Sequence, residues 1–207
     1  MTNGFIIKCI HSVVQTILNS EEEIESLDRA IGDGDHYINI KRGSMAVQSI
    51  ESELTSLPPD QAFKKIGMTL MTSVGGASGP LFASFFLALA KEIKSETNLQ
   101  QFSKGFTSGV KSIMDRGKSK LGDKTMLDVL IPVSEKLQLL ANEGCEKQEL
   151  IKEIDSIAMA GVIATKDMMP SKGRSAGLAE RAIGHIDPGA KTCQLIISTV
   201  CNELKLN

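Results

Sequence analysis

The sequence predicts an all-α fold of about eight antiparallel amphipathic helices packed as a bundle. Two observations carry this. Apolar residues recur three and four apart in one segment after another, and no segment alternates apolar with polar residues as a half-buried strand does. Glycine and proline clusters separate the segments.

The elements follow in order. Ile6, Ile10, Val13 and Ile17 share one face of a first helix, and Ser20 with Glu23 has the spacing of a capping box opening a short second helix through Ile24 and Leu27. A third runs along Ile40, Gly43, Val47, Ile50 and Leu54 and stops at Pro58-Pro59, because proline lacks the N–H that would continue it. Phe63, Ile66, Leu70 and Val74 form the next, up to the loop GGASGP. Residues 81–93 are apolar nearly all round, which predicts the most buried helix. Leu99, Phe102, Phe106, Val110 and Ile113 lead to the polar loop RGKSKLGDK; Met126, Val129, Leu130, Val133, Leu137 and Leu140 follow, with Pro132 in the first turns. Leu150, Ile154, Ile157 and Val162 run toward Met169-Pro170, and Ala190, Cys193, Ile197, Val200 and Leu204 close the chain.

At 207 residues and 42% apolar content, one domain over residues 1–207 is the expectation. A net charge of −2 leaves no basic surplus for a phosphate backbone or an anionic membrane, so neither nucleic acid nor membrane is an expected partner. The first twenty residues carry no basic leader or cleavage site, and the longest apolar run, residues 80–90, is too short to span a bilayer, so a cytoplasmic location is expected. Cys9, Cys145, Cys193 and Cys201 lie far apart with no CxxC pair, which favours free thiols over zinc or disulfides.

The chemistry concentrates in loops. In LDRAIGDGDHYINIKRG, residues 27–43, Asp28 shares the apolar stripe of Ile24, Leu27 and Ile31, and Asp33 and Asp35 follow in a turn that Gly32 and Gly34 permit. If the three converge, like charges about 4 Å apart repel by roughly 4 kcal/mol per pair at an effective dielectric near 20, which a divalent cation reverses. Hard oxygen ligands suit Mg²⁺. The competing reading makes Asp33 and Asp35 turn residues and Asp28 a solvated helix end. An EF-hand is excluded, because Tyr37, Ile38 and Ser44 stand where a ligand, the turning glycine and the closing glutamate belong.

GGASGP, residues 75–80, precedes a helix start, where free backbone N–H groups make an anion pocket; close helix packing through small residues is the alternative. In KGRSAGLAERAIGHIDPGA, residues 172–190, Arg174 and Arg181 flank a glycine-rich passage and are candidates to pair with phosphates, a solvated charged loop is the alternative, and His185 reads as structural.

Taken together, GDGDHYIN, GGASGPLF, RGKSKLGDKTM, KGR and ERAIGHIDPGA resemble, in order and over nearly the whole chain, the motif series of the nucleotide-binding subunit of dihydroxyacetone kinase, the DhaL family. The resemblance implies a closed eight-helix barrel holding ADP (or ATP) and two Mg²⁺ ions in loops at one end. It implies Asp28, Asp33 and Asp35 as metal ligands, and His36, Tyr37, Ile38 and Asn39 beside the phosphates. Ala77 and Ser78 fall in the anion loop, Gly117 and Met126 around the nucleotide, and Arg174 with Asp187, Pro188 and Gly189 in the loops that close over it. The family commonly has glycine where this chain has Tyr37, whose ring must find space. The form HYIN resembles the phosphotransferase-system-dependent branch. There ADP stays bound as a cofactor, a DhaM-type phosphocarrier recharges it, and the γ-phosphoryl passes to dihydroxyacetone on a DhaK-type subunit. No general base is assigned, and His36 is expected as a phosphate-side hydrogen-bond donor. The alternative function is a nucleotide-loaded adaptor that binds a partner such as a transcriptional regulator; a homodimer stays open under either.

Overall fold

The computed structural model describes residues 2–94 and 97–206, and every regular element among them is helical. Ten α-helices follow one another: α1 (Asn3–Asn19), α2 (Glu21–Ile31), α3 (His36–Ser49), α4 (Glu51–Ser56), α5 (Pro59–Ser73), α6 (Ser78–Glu92), α7 (Leu99–Gly117), α8 (Leu127–Glu143), α9 (Lys147–Ala164) and α10 (Pro188–Leu206). Short 3-10 helices lie at Thr165–Asp167 and Arg174–Ala182. None of the described helices is long and apolar enough to cross a membrane.

Eight of the helices close a ring. α1 packs on α3, α3 on α5, and each of α5 to α10 on the next, until α10 returns to α1. Each helix turns its apolar stripe to the middle, where Phe85, Leu89, Ile113, Val129, Val133 and Ile151 are buried in one continuous core. α2 lies outside the ring against α3 and α10, and covers a second small core of Ile17, Ile24, Tyr37 and Ile40. Two close crossings depend on missing side chains. A Cβ on Gly109 would meet the Phe85 ring at 2.6 Å, and one on Gly161 would meet the Asp128 carbonyl oxygen at 2.6 Å.

Three local expectations fail. The helix expected through residues 40–54 breaks at Ile50 (φ −97°, ψ 11°) into α3 and α4. The Asn3 side-chain amide donates to the carbonyls of Leu54, Thr55 and Leu57, and so holds the turned segment against α1. Ser20 makes no side-chain cap, because it is a junction between two helices with a near-helical backbone and its N–H is used by Ile17. A capping box forms instead at Asn98 and Gln101, opening α7. Nor is α6 the most buried helix: α8 buries nine residues against five. A ring helix has one neighbour on either side, so even an all-apolar one leaves its outer surface, here Leu81, Phe82 and Phe86, half-buried.

Alternation around the ring gathers the starts of α3, α6, α8 and α10 at one end. The connections 32–35, 74–77, 118–126 and 165–187 gather there too, and the motifs of the sequence lie in them and in the helix turns that flank them. Cys193 and Cys201 are buried, Cys9 and Cys145 half-buried, and all four are free thiols.

Candidate functional site

The carboxylate cluster begins with the last turns of α2, whose inner face carries Ile24, Asp28 and Ile31. Asp28 is buried, and its Oδ2 accepts the His36 backbone N–H at 3.0 Å. The chain then folds back over that carboxylate. A Cβ at Gly32 would lie 1.8 Å from Asp28 Oδ1, so the turn closes only around glycine. Gly34, at φ +80°, takes the left-handed conformation that returns the chain to α3. One oxygen from each of Asp28, Asp33 and Asp35 lies within 4.8 Å of the others, with Asp28 buried at the base and the other two open to solvent. Arg174 Nε stands 2.9 Å from Asp33 Oδ2 and offsets part of the repulsion. Three converging carboxylates, with no cysteine or histidine in the cluster among the described residues, fit a hard divalent cation.

The first turn of α3 distributes its side chains in four directions. His36 points inward to α10, with Nε2 2.9 Å from Thr192 Oγ1, whose hydroxyl donates to the Pro188 carbonyl at 3.0 Å. Burial pushes the ring below the ordinary histidine range, while Asp28, Asp35, the Pro188 carbonyl and Asp33 work the other way. Tyr37 is turned away from the loops. Its ring fills the second core beneath α2, its hydroxyl donates to Glu21 Oε2 at 3.0 Å, and Lys41 Nζ lies 5.4 Å from the ring centre. Burial and the bond to Glu21 push the phenol up to about 12. The space that Tyr37 needs is therefore found outside the site, and as a helical residue it has no need of a glycine-only backbone. Ile38 is 54% exposed. Asn39 is buried, and its Oδ1 accepts from Arg42 Nη2 at 2.9 Å.

Asn39 also meets the second loop. A Cβ on Gly75 would sit 2.4 Å from Asn39 Oδ1, and Gly76 at φ +64° turns the chain into Ala77, the N-cap of α6, and Ser78, its first residue. The first-turn N–H groups of α6 have no helical partners and carry the positive end of its dipole.

The far wall is built from three segments. α7 ends at Gly117, beyond which Lys118 is left-handed. A Cβ on Gly117 would make only ordinary contact with Leu81 at 3.5 Å, so no close packing demands this glycine. Met126 is buried just before α8, and its Cε lies 3.8 Å from where a Gly189 Cβ would be. Asp187 is buried and caps α10: its Oδ2 accepts the Ala190 N–H at 2.7 Å, and Pro188 occupies the first helical position. Burial pushes the Asp187 carboxyl up to about 7.

These contacts draw several of the expected residues together, with Arg174 against Asp33, Asn39 against the 75–76 turn, His36 against α10 and Met126 against Gly189. Tyr37 is the exception in its side chain. Sequence reasoning missed Arg42, Asp123, Lys124, Asp128, Thr165 and Thr192. For Asp128 a signal existed. Thr125 and Asp128 have capping spacing ahead of an apolar run, and Asp128 does accept the Thr125 N–H at 2.7 Å and the Gly122 N–H at 2.6 Å.

Comparison with known proteins adds to this geometry. The model of the family described as DAK2 domain matches residues 30–202. The chain is 35% identical, over 99% of its length and 96% of the relative's, to "PEP-dependent dihydroxyacetone kinase 2, ADP-binding subunit DhaL" of Listeria innocua serovar 6a. It is 38% identical, over 91% of each chain, to "PEP-dependent dihydroxyacetone kinase, ADP-binding subunit DhaL" of Escherichia coli K12. The dihydroxyacetone kinase of C. freundii, solved with AMP-PNP and Mg²⁺, superposes with a TM-score of 0.77 at 22% identity over 98% of this chain and 34% of that one, which shows a shared fold. The chain belongs to the DAK2 domain family and, within it, to the DhaL group.

Proposed function

We propose that this chain is the nucleotide-carrying, phosphoryl-transferring subunit of a multi-subunit dihydroxyacetone kinase. The observation that carries this reading is the convergence of Asp28, Asp33 and Asp35 at an end of the ring where four helices begin. It is supported by full-length relatives that are named as ADP-binding DhaL subunits.

Asp28, Asp33 and Asp35 would hold two Mg²⁺ ions, which would supply charge neutralisation for a bound diphosphate. Asn39, Ala77 and Ser78 lie beside the α6 start and receive the phosphates by backbone and amide N–H groups. Arg174 reaches in from the 3-10 segment as a second cation for the same oxygens. Gly117 and Met126 with Asp187, Pro188 and Gly189 border the nucleoside, and Met126 offers it an adaptable apolar contact. His36, committed to Thr192, fixes the α3 start to α10 and abstracts no proton. Phosphoryl transfer asks mainly for position and charge, and these groups supply both. The carbon substrate then belongs to a DhaK-type subunit, and a DhaM-type phosphocarrier recharges bound ADP.

The test combines binding and transfer. The purified chain is expected to retain ADP and Mg²⁺, and Asp33→Ala to lose the nucleotide while its far-UV dichroism stays that of the native helices. Phosphoenolpyruvate-driven transfer to dihydroxyacetone is expected only when DhaK- and DhaM-type proteins are both added. A chain that binds no Mg²⁺–ADP in calorimetry refutes the reading.

A further inference from the structure

We propose that Lys124, together with Asp123, is a positioning residue of the nucleotide site: the pair fixes both stems of segment 172–184 and so sets the reach of Arg174. The inference rests on the nucleotide reading above and deepens it.

Lys124 is fully buried. Its partners are three backbone carbonyls: Nζ donates to Thr165 O at 2.6 Å, His185 O at 2.6 Å and Lys166 O at 3.3 Å. An ammonium has three protons, so all are used, which makes its burial tolerable. Burial still pushes its pKa below the ordinary lysine value, against Asp187, Asp167 and Asp128. The backbone is left-handed as well, at φ +58°, a conformation that disfavours side chains. Two costs meet at one residue, and what they hold in place is specific. Thr165 and Lys166 are where the chain leaves α9, and His185 is where it returns toward α10.

Asp123 grips the same segment nearer its start. It is buried, its Oδ1 accepts the Ser171 hydroxyl at 2.5 Å, and its carbonyl accepts the Ser171 N–H at 3.2 Å. Burial works against its charge, yet hydrogen bonds from Ser171, the Lys120 N–H and Ser119 hold the carboxyl below its ordinary value. The two stems are also tied to α9 and each other, by Gly184 N–H to Lys166 O at 2.8 Å and Asp187 N–H to Thr165 Oγ1 at 3.1 Å.

Between the stems the segment is different. Lys172, Gly173, Arg174, Gly177 and Arg181 are exposed, and Ala179 is left-handed. Arg174 nevertheless meets Asp33 across the carboxylate cluster. Only Ser175 and Ala182 of this 3-10 segment are buried, and so exposed a span presents one guanidinium reproducibly only if its ends do not move. Residues 123 and 124 hold those ends from a loop that itself contributes no atom to the metal cluster. Loosening them spreads Arg174 over more positions and costs Asp33 its ion pair, while the turn that brings Asp28, Asp33 and Asp35 together is held by its own contacts.

The test uses the full chain with Lys124→Met, Asp123→Asn, Ser171→Ala and, as a control, the distal core truncation Leu137→Ala. Mg²⁺–ADP affinity is read by calorimetry, binding of Mn²⁺ alone by its EPR signal, and the segment itself by the rate of tryptic cleavage after Lys172, Arg174 and Arg181. Ser171→Ala is expected to weaken Mg²⁺–ADP by about three- to tenfold, the scale of one hydrogen bond, and Lys124→Met by more. Cleavage at the three sites accelerates without nucleotide, and Mn²⁺ binding is not weakened, because a displaced Arg174 no longer competes with the metal for Asp33. Leu137→Ala lowers the unfolding midpoint and changes neither affinity nor cleavage. Wild-type affinity and cleavage rates in the variants, or a Leu137→Ala variant that weakens Mg²⁺–ADP as much as they do, overturn the proposal. Should Lys124→Met fail to fold, Ser171→Ala and Asp123→Asn decide. Wild-type protein that binds no Mg²⁺–ADP removes the nucleotide reading instead; nucleotide-free cleavage then judges the stems, and unchanged rates in the variants refute them.

Discussion

A methyl group added at residue 32 has nowhere to go, since it would overlap the Asp28 carboxylate. Gly32→Ala is therefore expected to push that carboxylate off the cluster and weaken Mn²⁺ binding at least tenfold, as changes beside a ligand do, with a stability loss of about 1–3 kcal/mol in urea. Asp187 gives a prediction in pH. Its folded pKa, about 7, stands above the unfolded value. Its contribution to stability is thus complete below about pH 4 and is lost as pH rises through 7, on the order of 4 kcal/mol in all. Asp187→Asn keeps a capping side chain and is expected to remove that part of the decline, measured as urea midpoints between pH 4 and 8. At this scale the sequence was only partly legible. Asp28, Asp33 and Asp35 are close in sequence and alternate with glycines, so their convergence is a local property. Lys124, whose partners lie 41 to 61 residues away, and Thr192, 156 residues from His36, are invisible to any local pattern.

Elements were easier to read than their junctions. A helix that buries one stripe writes its period into the sequence, and the stripes of α1, α5, α7, α8 and α9 are where periodicity puts them. The break at Ile50 has no signal in the residues around it, and the segment beyond it is held by Asn3, 51 to 54 residues earlier. Helix packing also decides the sign of a substitution that propensity would misjudge. Alanine normally stabilises a helix by about 1 kcal/mol over glycine. At Gly161, however, the new Cβ would lie 2.6 Å from the Asp128 carbonyl oxygen, a backbone atom that cannot rotate away. Gly161→Ala is therefore expected to destabilise the protein by about 1–3 kcal/mol in denaturant unfolding, because α8 and α9 must separate.

For the whole molecule, the ring explains why four distant loops share one region. Antiparallel neighbours return the chain to the same end after every second helix, so motifs from residues 28 to 189 meet without any long excursion. That convergence could be inferred from the even spacing of the glycine-rich loops, whereas closure was legible only through the family resemblance, because it depends on α1 meeting α10. The contact there is partly polar: Ser12 Oγ donates to Glu203 Oε1 at 2.6 Å, and the Thr16 and Thr199 hydroxyls are 2.9 Å apart. While the ribosome is still making the chain, the first helix must wait for the last, and the growing arc shows two bare margins to the cell. The Ser12 and Thr16 hydroxyls on the α1 margin stay comfortable in water during the wait, so that edge of a half-made arc is less prone to stick to another before α10 arrives.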